Sequence, residues 1–385
     1  MTFAYAPKGV CARRFDITVE DGAVQSVQVL GGCSGGGNYS WDKDLQHRLA
    51  CDFNWTYDQV KEYVARYIPD VTDEQMEAWT ASGVLESMEI DGTRMYFNRT
   101  APNLFRVDAA CKAVKDAAEG NGPAGTFFNA TGTCASNLME ALWDEHPDGS
   151  PLGAPKRMKV HYTLTVDADA VPAGEVVRCW LPFPRKDVAR QQDVRFIDAN
   201  VANVTFSDPE CVHSTVYMEK VAVAGEPVVF EEEFEYTSYA EIHRIDADCV
   251  AKAAAASLGV DASQLTGTRS YYNTDSDLYR EFTAEREAHI VFSPRLRELA
   301  ARLAGDLTNP YDVARAYFTW INDNFPWAGA REYSTIPAIP EYVLDNGHGD
   351  CGQVTLLFCT LCRIKGIPTH FQSGFVVDPD GSGMH

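Results

Sequence analysis

The stretch GDCGQVTLLFCTLCRIKGIP, residues 349–368, decides the fold of the C-terminal part of this chain. Its apolar side chains recur at the spacing of one helix face, and Gly366 and Pro368 end the pattern. The spacing therefore predicts a helix whose first turn contains Cys351. Unpaired amides and the helix dipole at such a terminus stabilise anions, so we expect the thiolate form of Cys351 to be favoured. Amides of the same turn, at Gly352, are candidate donors to an oxyanion.

A strand is predicted directly after this helix. In THFQSGFVV, residues 369–377, apolar and polar side chains alternate as they do in a strand. This element leads through the turn residues of DPDG, 378–381, to His385. We therefore expect the helix-borne thiol of Cys351 and the imidazole of His385 to face each other. Gln372, on the predicted strand, is a candidate hydrogen-bond donor to the same site.

Residues 290–385 resemble the transglutaminase-like superfamily of papain-like cysteine enzymes. The resemblance rests on GDCG at a helix start, the LCR-x-x-GIP continuation, a following strand and a histidine after a short loop. By position it implies that Cys351 is the nucleophile and that His385 is the general base. It also implies a substrate lip and a second oxyanion donor where Trp327 and Tyr333 lie. Packing of Trp327 under the preceding helices is the alternative interpretation.

One feature departs from the family pattern. Family members place an acidic residue, usually Asp, on the strand after the histidine, and this sequence stops at His385. The strands that complete the sheet of the core are also missing, so we interpret the sequence as a C-terminally truncated copy. Loss of the orienting acid alone costs roughly 10⁴ in turnover, and we therefore expect weak activity or none from the truncated chain.

The resemblance implies acyl transfer or hydrolysis of peptide or protein amides through a thioester on Cys351. Whether water or an amine resolves the thioester stays open. The missing acid favours an alternative, a non-catalytic protein-binding module that uses the transglutaminase-like core as a scaffold. This chemistry needs no cofactor, and no cysteine and histidine set has the spacing of a zinc site. The expected partner is a peptide or protein substrate.

Two further sets of residues lie near Cys351. Cys359 and Cys362 are surrounded by apolar residues of the predicted helix, so we interpret them as core thiols rather than a redox pair. His348 lies between glycines beside the site, which predicts a solvated loop histidine, with contact to substrate as the alternative.

A β-sandwich is predicted over residues 155–245, upstream of the core at 246–385. Five stretches there have strand composition, and VVRCWLPFP resembles the β-domain that often precedes such cores. Trp180, Phe183, Phe230 and Phe234 are expected in the sandwich core. The three glutamates 231–233 are interpreted as part of a strand that alternates into solvent.

The region before the sandwich divides into two predicted parts. Residues 37–150 contain two capping boxes, Thr56 with Gln59 and Thr72 with Gln75, and a hairpin at Asp91-Gly92, which together suggest a winged-helix shape. Residues 1–36 contain a hairpin around Asp21-Gly22 and partly resemble a TSCPD-type domain in their GVC and GGCSG segments. The predicted fold class is therefore α+β multidomain, ending in a papain-like core that lacks its last strands.

Composition excludes several functional classes. The 385 residues carry 33 Lys and Arg against 55 Asp and Glu, a net charge of −22, which opposes binding of nucleic acid. No apolar run approaches the roughly 20 residues of a membrane helix, and no secretory signal is readable, so no membrane partner is expected. Eleven scattered cysteines predict reduced thiols in the cytoplasm, and an exported relative without its leader is the alternative. The oligomeric state stays open.

Overall fold

The computed structural model describes residues 2–5, 14–20, 23–30, 41–120, 142, 144, 152–209, 211, 213–243 and 245–372. Its strands are β1 (Thr2–Tyr5), β2 (Arg14–Glu20), β3 (Ala23–Leu30), β4 (Phe53–Trp55), β5 (Ser87–Ile90), β6 (Thr93–Phe97), β7 (Leu152–Val166), β8 (Val176–Pro182), β9 (Gln191–Ala199), β10 (Thr205–Phe206), β11 (Thr215–Val221) and β12 (Val228–Glu241). Its helices are α1 (Trp41–Asp52), α2 (Tyr57–Ala65), α3 (Asp73–Ala81), α4 (Thr100–Val107), α5 (Ala109–Glu119), α6 (Ala247–Leu258), α7 (Asp277–Thr283), α8 (Pro294–Ala304), α9 (Pro310–Asn324), α10 (Ile339–Asn346) and α11 (Cys351–Ile364). The fold is thus a mixture of helices and small antiparallel sheets, in line with the predicted α+β class.

The chain divides into two compact units. One comprises Met1–Ser40 with Ser150–Ile242, and the other comprises Trp41–Gly149 with His243–His385. The finer division predicted from the sequence, into 1–36, 37–150, 155–245 and 246–385, stays a prediction. No helix of the described ranges is long and apolar enough to cross a membrane.

Antiparallel sheets make up the first unit. The hairpin predicted around Asp21-Gly22 is confirmed, because β2 pairs with β3, and β1 adds a third strand on β2. Farther along the chain, two three-stranded sheets have the orders β7-β12-β9 and β10-β11-β8. Their inward side chains form one core that contains Phe183, Phe230 and Phe234, as predicted. Trp180 is instead half-buried and packs against Tyr217, with 5.0 Å between ring centroids.

The prediction that the glutamates of β12 alternate into solvent is wrong for Glu232. Its exposure is 1%, and neither carboxylate oxygen has a hydrogen-bond partner. The reason is the two-residue period of the strand, which places Glu232 on the same face as Phe230 and Phe234. Burial raises the pKa of the Glu232 carboxyl to about 8, so this carboxyl is largely protonated at neutral pH.

The second unit begins with the helical region 41–119. Both predicted capping boxes are confirmed, at Thr56 with Gln59 for α2 and at Thr72 with Gln75 for α3. The predicted hairpin is formed by β5 and β6, and β4 pairs on the other edge of β6. A buried cluster that includes Val60, Met76 and Leu104 holds these elements together. The winged-helix assignment itself stays a prediction.

The C-terminal helices form a separate core in the same unit. Ser293 caps α8 with Pro294 at its first turn, and Asn309 caps α9. Helix α11 packs against α8, α9 and α10, and its buried face includes Leu357, Leu361, Cys359 and Cys362. Cys359 and Cys362 are therefore core thiols, as predicted. This core fixes the axis of α11 and so the position of its N-terminus.

The described part of the predicted strand 369–377 is not a strand. Residues 369–372 have no regular structure, because the backbone of Thr369 is engaged elsewhere. Its N–H donates to the carbonyl of Phe282 over 2.9 Å, and its carbonyl accepts from the guanidinium of Arg363 at 3.0 and 2.7 Å. Arg363 thereby fixes the course of the chain after α11. Residues 373–377 lie outside the described residues.

Candidate active site

Helix α11 begins at Cys351, and its N-terminus is closed by a capping box. The carboxylate of Asp350 accepts the Gln353 N–H at 2.9 Å, and the Gln353 side chain accepts the Asp350 N–H at 3.1 Å. The first backbone bond of the helix runs from the Val354 N–H to the Asp350 carbonyl over 3.0 Å. Because Asp350 uses the amide of Gln353, the amides of Cys351 and Gly352 are the ones left for another acceptor.

Cys351 is exposed, unlike the other thiols of α11. Its neighbour Gly352 lies against the ring of Tyr333, where an added Cβ would lie 3.0 Å from Cζ. The Tyr333 hydroxyl donates a short hydrogen bond to Oδ1 of Asp350. Burial and this bond raise the pKa of the Tyr333 hydroxyl, and negative charge on Cys351 adds to the rise. The structure thus brings Cys351, Gly352 and Tyr333 together.

Substituting Gly352 with alanine is expected to displace Tyr333 and to disturb the cap at Asp350. The added methyl group meets the ring and hydroxyl of Tyr333, so we expect a loss of roughly 1–3 kcal/mol in the free energy of unfolding, which urea titration measures. Turnover should fall roughly tenfold or more, because the first turn shifts. Gly267→Ala is the control, since a Cβ there has no neighbour within 4 Å. Equal stability of the two variants would contradict this account of Gly352.

A segment between α9 and α10, here called the lip segment (residues 327–333), forms a wall next to the first turn of α11, where it contacts Gly349 and Gly352 on either side of Cys351. Trp327 and Gly349 form a parallel β-bridge. The Ala328 N–H donates to the Gly349 carbonyl at 3.1 Å, and the Gly349 N–H donates to the Pro326 carbonyl at 3.4 Å. Trp327 is 45% exposed, so it does not pack under the helices. The ring of Trp327 therefore lies on the surface, while the backbone of Trp327 pairs with Gly349, just before α11.

The helical region 41–119 fixes the lip segment through polar contacts, of which those of Asn103 are buried. The side chain of Asn103 donates to the Gly329 carbonyl at 2.9 Å and accepts the Gly329 N–H at 2.8 Å. The carboxylate of Asp52 accepts the Glu332 N–H at 2.7 Å. Sequence reasoning missed these contacts, because 226 residues separate Asn103 from Gly329 and no local pattern links them.

A partly buried ion pair makes a third connection between the two regions. Arg331 Nε lies 3.5 Å from Oε1 of Glu86, and the hydroxyl of Tyr342 donates to Oε2 at 2.9 Å. The guanidinium of Arg331 also lies over the rings of Phe53 and Tyr342, at 5.7 and 5.2 Å. Burial raises the pKa of the Glu86 carboxyl, and the charge of Arg331 opposes that rise. Arg331 is thereby held at the centre of the lip segment.

Asn103→Ala is expected to release the lip segment. The change leaves the N–H and the carbonyl of Gly329 without their buried partners, which costs about 2–4 kcal/mol of stability. Urea unfolding measures this loss, and proteolysis between Pro326 and Glu332 should become faster. Asn54→Ala is the matched control, because its amide makes one exposed bond, to the Cys51 carbonyl. A loss of stability below about 0.5 kcal/mol for Asn103→Ala would show that the hydrogen bonds of Asn103 do not hold the lip segment.

Other predicted residues are placed differently. Gln372 is exposed beyond the end of α11, in no strand, and His385 lies outside the described residues. The interpretation of His348 as a solvated histidine is wrong, since it is 6% exposed and its Nδ1 has no hydrogen-bond partner. Burial lowers the pKa of His348. Within the described ranges, no three His, Cys, Asp or Glu side chains lie close enough together to hold a metal ion.

Comparison with known proteins finds a family match for the segment that contains Cys351. Residues 297–385 match the family model of the transglutaminase-like superfamily, which confirms the predicted resemblance for this part of the chain. A crystal structure of a proposed cysteine protease from Cytophaga hutchinsonii shares 17% sequence identity at a TM-score of 0.40. The match covers 56% of this chain and 66% of that one, so the chain spans just under two thirds of that structure. No curated protein matches.

Proposed function

We propose that the protein is a cysteine enzyme that forms a thioester between Cys351 and the acyl group of a peptide or protein amide. The observation that carries this proposal is the position of Cys351. Its thiol is exposed at the first residue of the 14-residue helix α11, inside the segment that matches the transglutaminase-like family model. The thiolate is the nucleophilic form of a cysteine, and the unpaired amides at a helix start can donate to an anion that forms beside them.

The proposed reaction has two steps. In the first, the thiolate attacks the amide carbonyl carbon, a C–S bond forms, the C–N bond breaks, and the amine leaves with a proton. In the second, water or an amine attacks the thioester, and the thiolate is released. His385, carried over from the family pattern, is the proposed group that donates and accepts the proton.

The amides of Cys351 and Gly352 are the proposed oxyanion donors. They precede the first intrahelical bond of α11, and the carboxylate of Asp350 takes only the next amide, that of Gln353. The Tyr333 hydroxyl donates its hydrogen bond to Asp350, so it has no second proton to donate to an oxyanion. We therefore assign Tyr333 the role of a positioning residue that holds the cap, in place of the second oxyanion donor expected from the family pattern.

A turnover assay tests the proposal. The protein expressed from its complete gene is incubated with casein and dansylcadaverine, and with a peptide mixture alone. Incorporation of the fluorescent amine would identify transamidation, whereas deamidated or cleaved peptides in mass spectra would identify hydrolysis. We expect one of these products. Their complete absence, with casein retained by the immobilised protein, would favour the non-catalytic binding module instead.

A further inference from the structure

Two arginines of the helical region border the lip segment. Arg106, in the last turn of α4, places its guanidinium carbon 4.6 Å from the ring centroid of Trp327. Arg99, the N-cap residue of α4, passes directly over Gly329, where an added Cβ would lie 2.8 Å from its Cδ. Both arginines are exposed. They therefore present positive charge on the same wall that borders Cys351.

Neither arginine has an acidic partner among the described residues. Arg106 donates to the amide oxygen of Asn103 at 3.3 Å, and no ion pair of Arg99 or Arg106 occurs within the described ranges. Partial burial of the exposed Arg106 side chain lowers its pKa, and the charge of Arg99 lowers it further, so the two guanidinium groups repel each other. The chain has a net charge of −22 and therefore an excess of carboxylates, yet these two neighbouring arginines pair with none among the described residues.

The other charges around the lip segment are already compensated. Arg331 pairs with Glu86, and Arg48 pairs with Glu332 at 3.3 Å. The carboxylate of Asp350 accepts from Tyr333 and from the Gln353 amide. Among the described residues of this wall, Arg99 and Arg106 are the charged side chains without an ion pair or a carboxylate partner. Trp327 stays 45% exposed beneath Arg106, so its ring is accessible to a ligand.

We propose that Arg99, Arg106 and the ring of Trp327 form a subsite that binds a carboxylate of the substrate beside Cys351. Guanidinium groups bind carboxylates through paired, charge-assisted hydrogen bonds, and the indole ring offers an apolar contact to the adjoining carbon chain. This inference deepens the proposed function and rests on it. The substrate class is a peptide or protein amide with an acidic side chain or a terminal carboxylate near the reacting bond.

Alkylation of Cys351 by two small reagents tests the subsite without a known substrate. Iodoacetate and iodoacetamide both lose iodide to the attacking thiolate, but only iodoacetate carries a negative charge. We expect wild-type Cys351 to have an iodoacetate-to-iodoacetamide rate ratio about three to ten times that of the Arg99→Ala/Arg106→Ala variant at low salt. The ratio of the wild type should fall toward that of the variant in 0.5 M salt, about a 4 Å Debye length. Peptide mapping by mass spectrometry measures the alkylation of Cys351 separately from that of the other thiols.

Two control variants separate charge from folding. Arg99→Lys/Arg106→Lys keeps both charges and should keep most of the ratio. Lys61→Ala/Arg94→Ala removes two charges that pair with Asp73 and Glu77 in the same region, and it should leave the ratio unchanged. Equal ratios in the wild type and in Arg99→Ala/Arg106→Ala would overturn the subsite. So would an equal fall in the Lys61→Ala/Arg94→Ala control, because the effect would then reflect overall charge.

The same experiment distinguishes the two proposals. Slow alkylation of Cys351 by iodoacetamide would count against the proposed nucleophile, whereas the ratio of the two reagents tests the subsite at any absolute rate. Once turnover is found, peptide pairs that differ only in Asp or Asn beside the reacting amide give a second readout. We expect kcat/KM to favour the Asp peptide, and the preference should disappear in Arg99→Ala/Arg106→Ala. No preference in the wild type would overturn the inference.

Discussion

Cys351→Ala is expected to lower turnover of amide substrates by a factor of about 10⁴ or more, because it removes the atom that forms the covalent intermediate. Cys351 is exposed and is not among the buried residues of the C-terminal core. Stability should therefore change little, and the loss should appear in kcat. Product formation under steady-state conditions, together with the loss of the acyl-enzyme in intact-protein mass spectra, measures the effect.

Cys51→Ala is the matched control for this prediction. Cys51 is another exposed free thiol of the same compact unit, in the last turn of α1. Its replacement should leave turnover unchanged. Full activity of Cys351→Ala, or an equal loss in Cys51→Ala, would contradict the assignment of the nucleophile.

Glu232→Gln is expected to stabilise the sheets of the first unit at neutral and alkaline pH. Burial raises the pKa of Glu232 to about 8, above its value in an unfolded chain, so the folded state holds a proton that the unfolded state has lost. Stability from this group is complete below the unfolded pKa of roughly 4. It falls as the pH rises and is lost at about pH 8. At pH 8 we expect Glu232→Gln to be more stable than the wild type by roughly 2–4 kcal/mol.

Urea unfolding between pH 5 and pH 8 measures this effect. Hydrogen exchange of β12 peptides over the same pH range is the second measurement. The stability difference between Glu232→Gln and the wild type should be small at pH 5 and should grow with pH. Glu231→Gln changes a neighbouring carboxylate that is only half-buried, and it should show no such trend. A pH-independent difference for Glu232→Gln would mean that Glu232 does not carry a proton in the folded state.

Local signals made much of the C-terminal helix predictable. The start of α11 at Cys351, its cap at Asp350 and its apolar face all follow from residues within one or two turns. The same holds for the caps of α2, α3, α8 and α9. The burial of Glu232 was also predictable, because every second residue of β12 faces the core and Glu232 lies between the inward-facing Phe230 and Phe234. The run of three acids nevertheless favoured the wrong interpretation of that strand.

Contacts across long sequence separations could not be predicted in this way. Nothing near Asn103 indicates that its amide binds the backbone of Gly329. His348 is flanked by glycines, which favour a solvated loop, yet packing of the surrounding unit buries it. The course of residues 369–372 depends on the guanidinium of Arg363 and on the carbonyl of Phe282. Each of these features depends on tertiary packing, which overrides local propensity.

The rate of iodoacetamide modification at Cys351 as a function of pH tests the central claim most directly. Peptide mapping resolves Cys351 from Cys211, another exposed free thiol, which serves as an internal reference in the same sample. A thiolate stabilised by the start of α11 predicts modification at pH 6 at least about ten times faster than that of free cysteine. A rate that follows the pH dependence of free cysteine would contradict an activated nucleophile at Cys351.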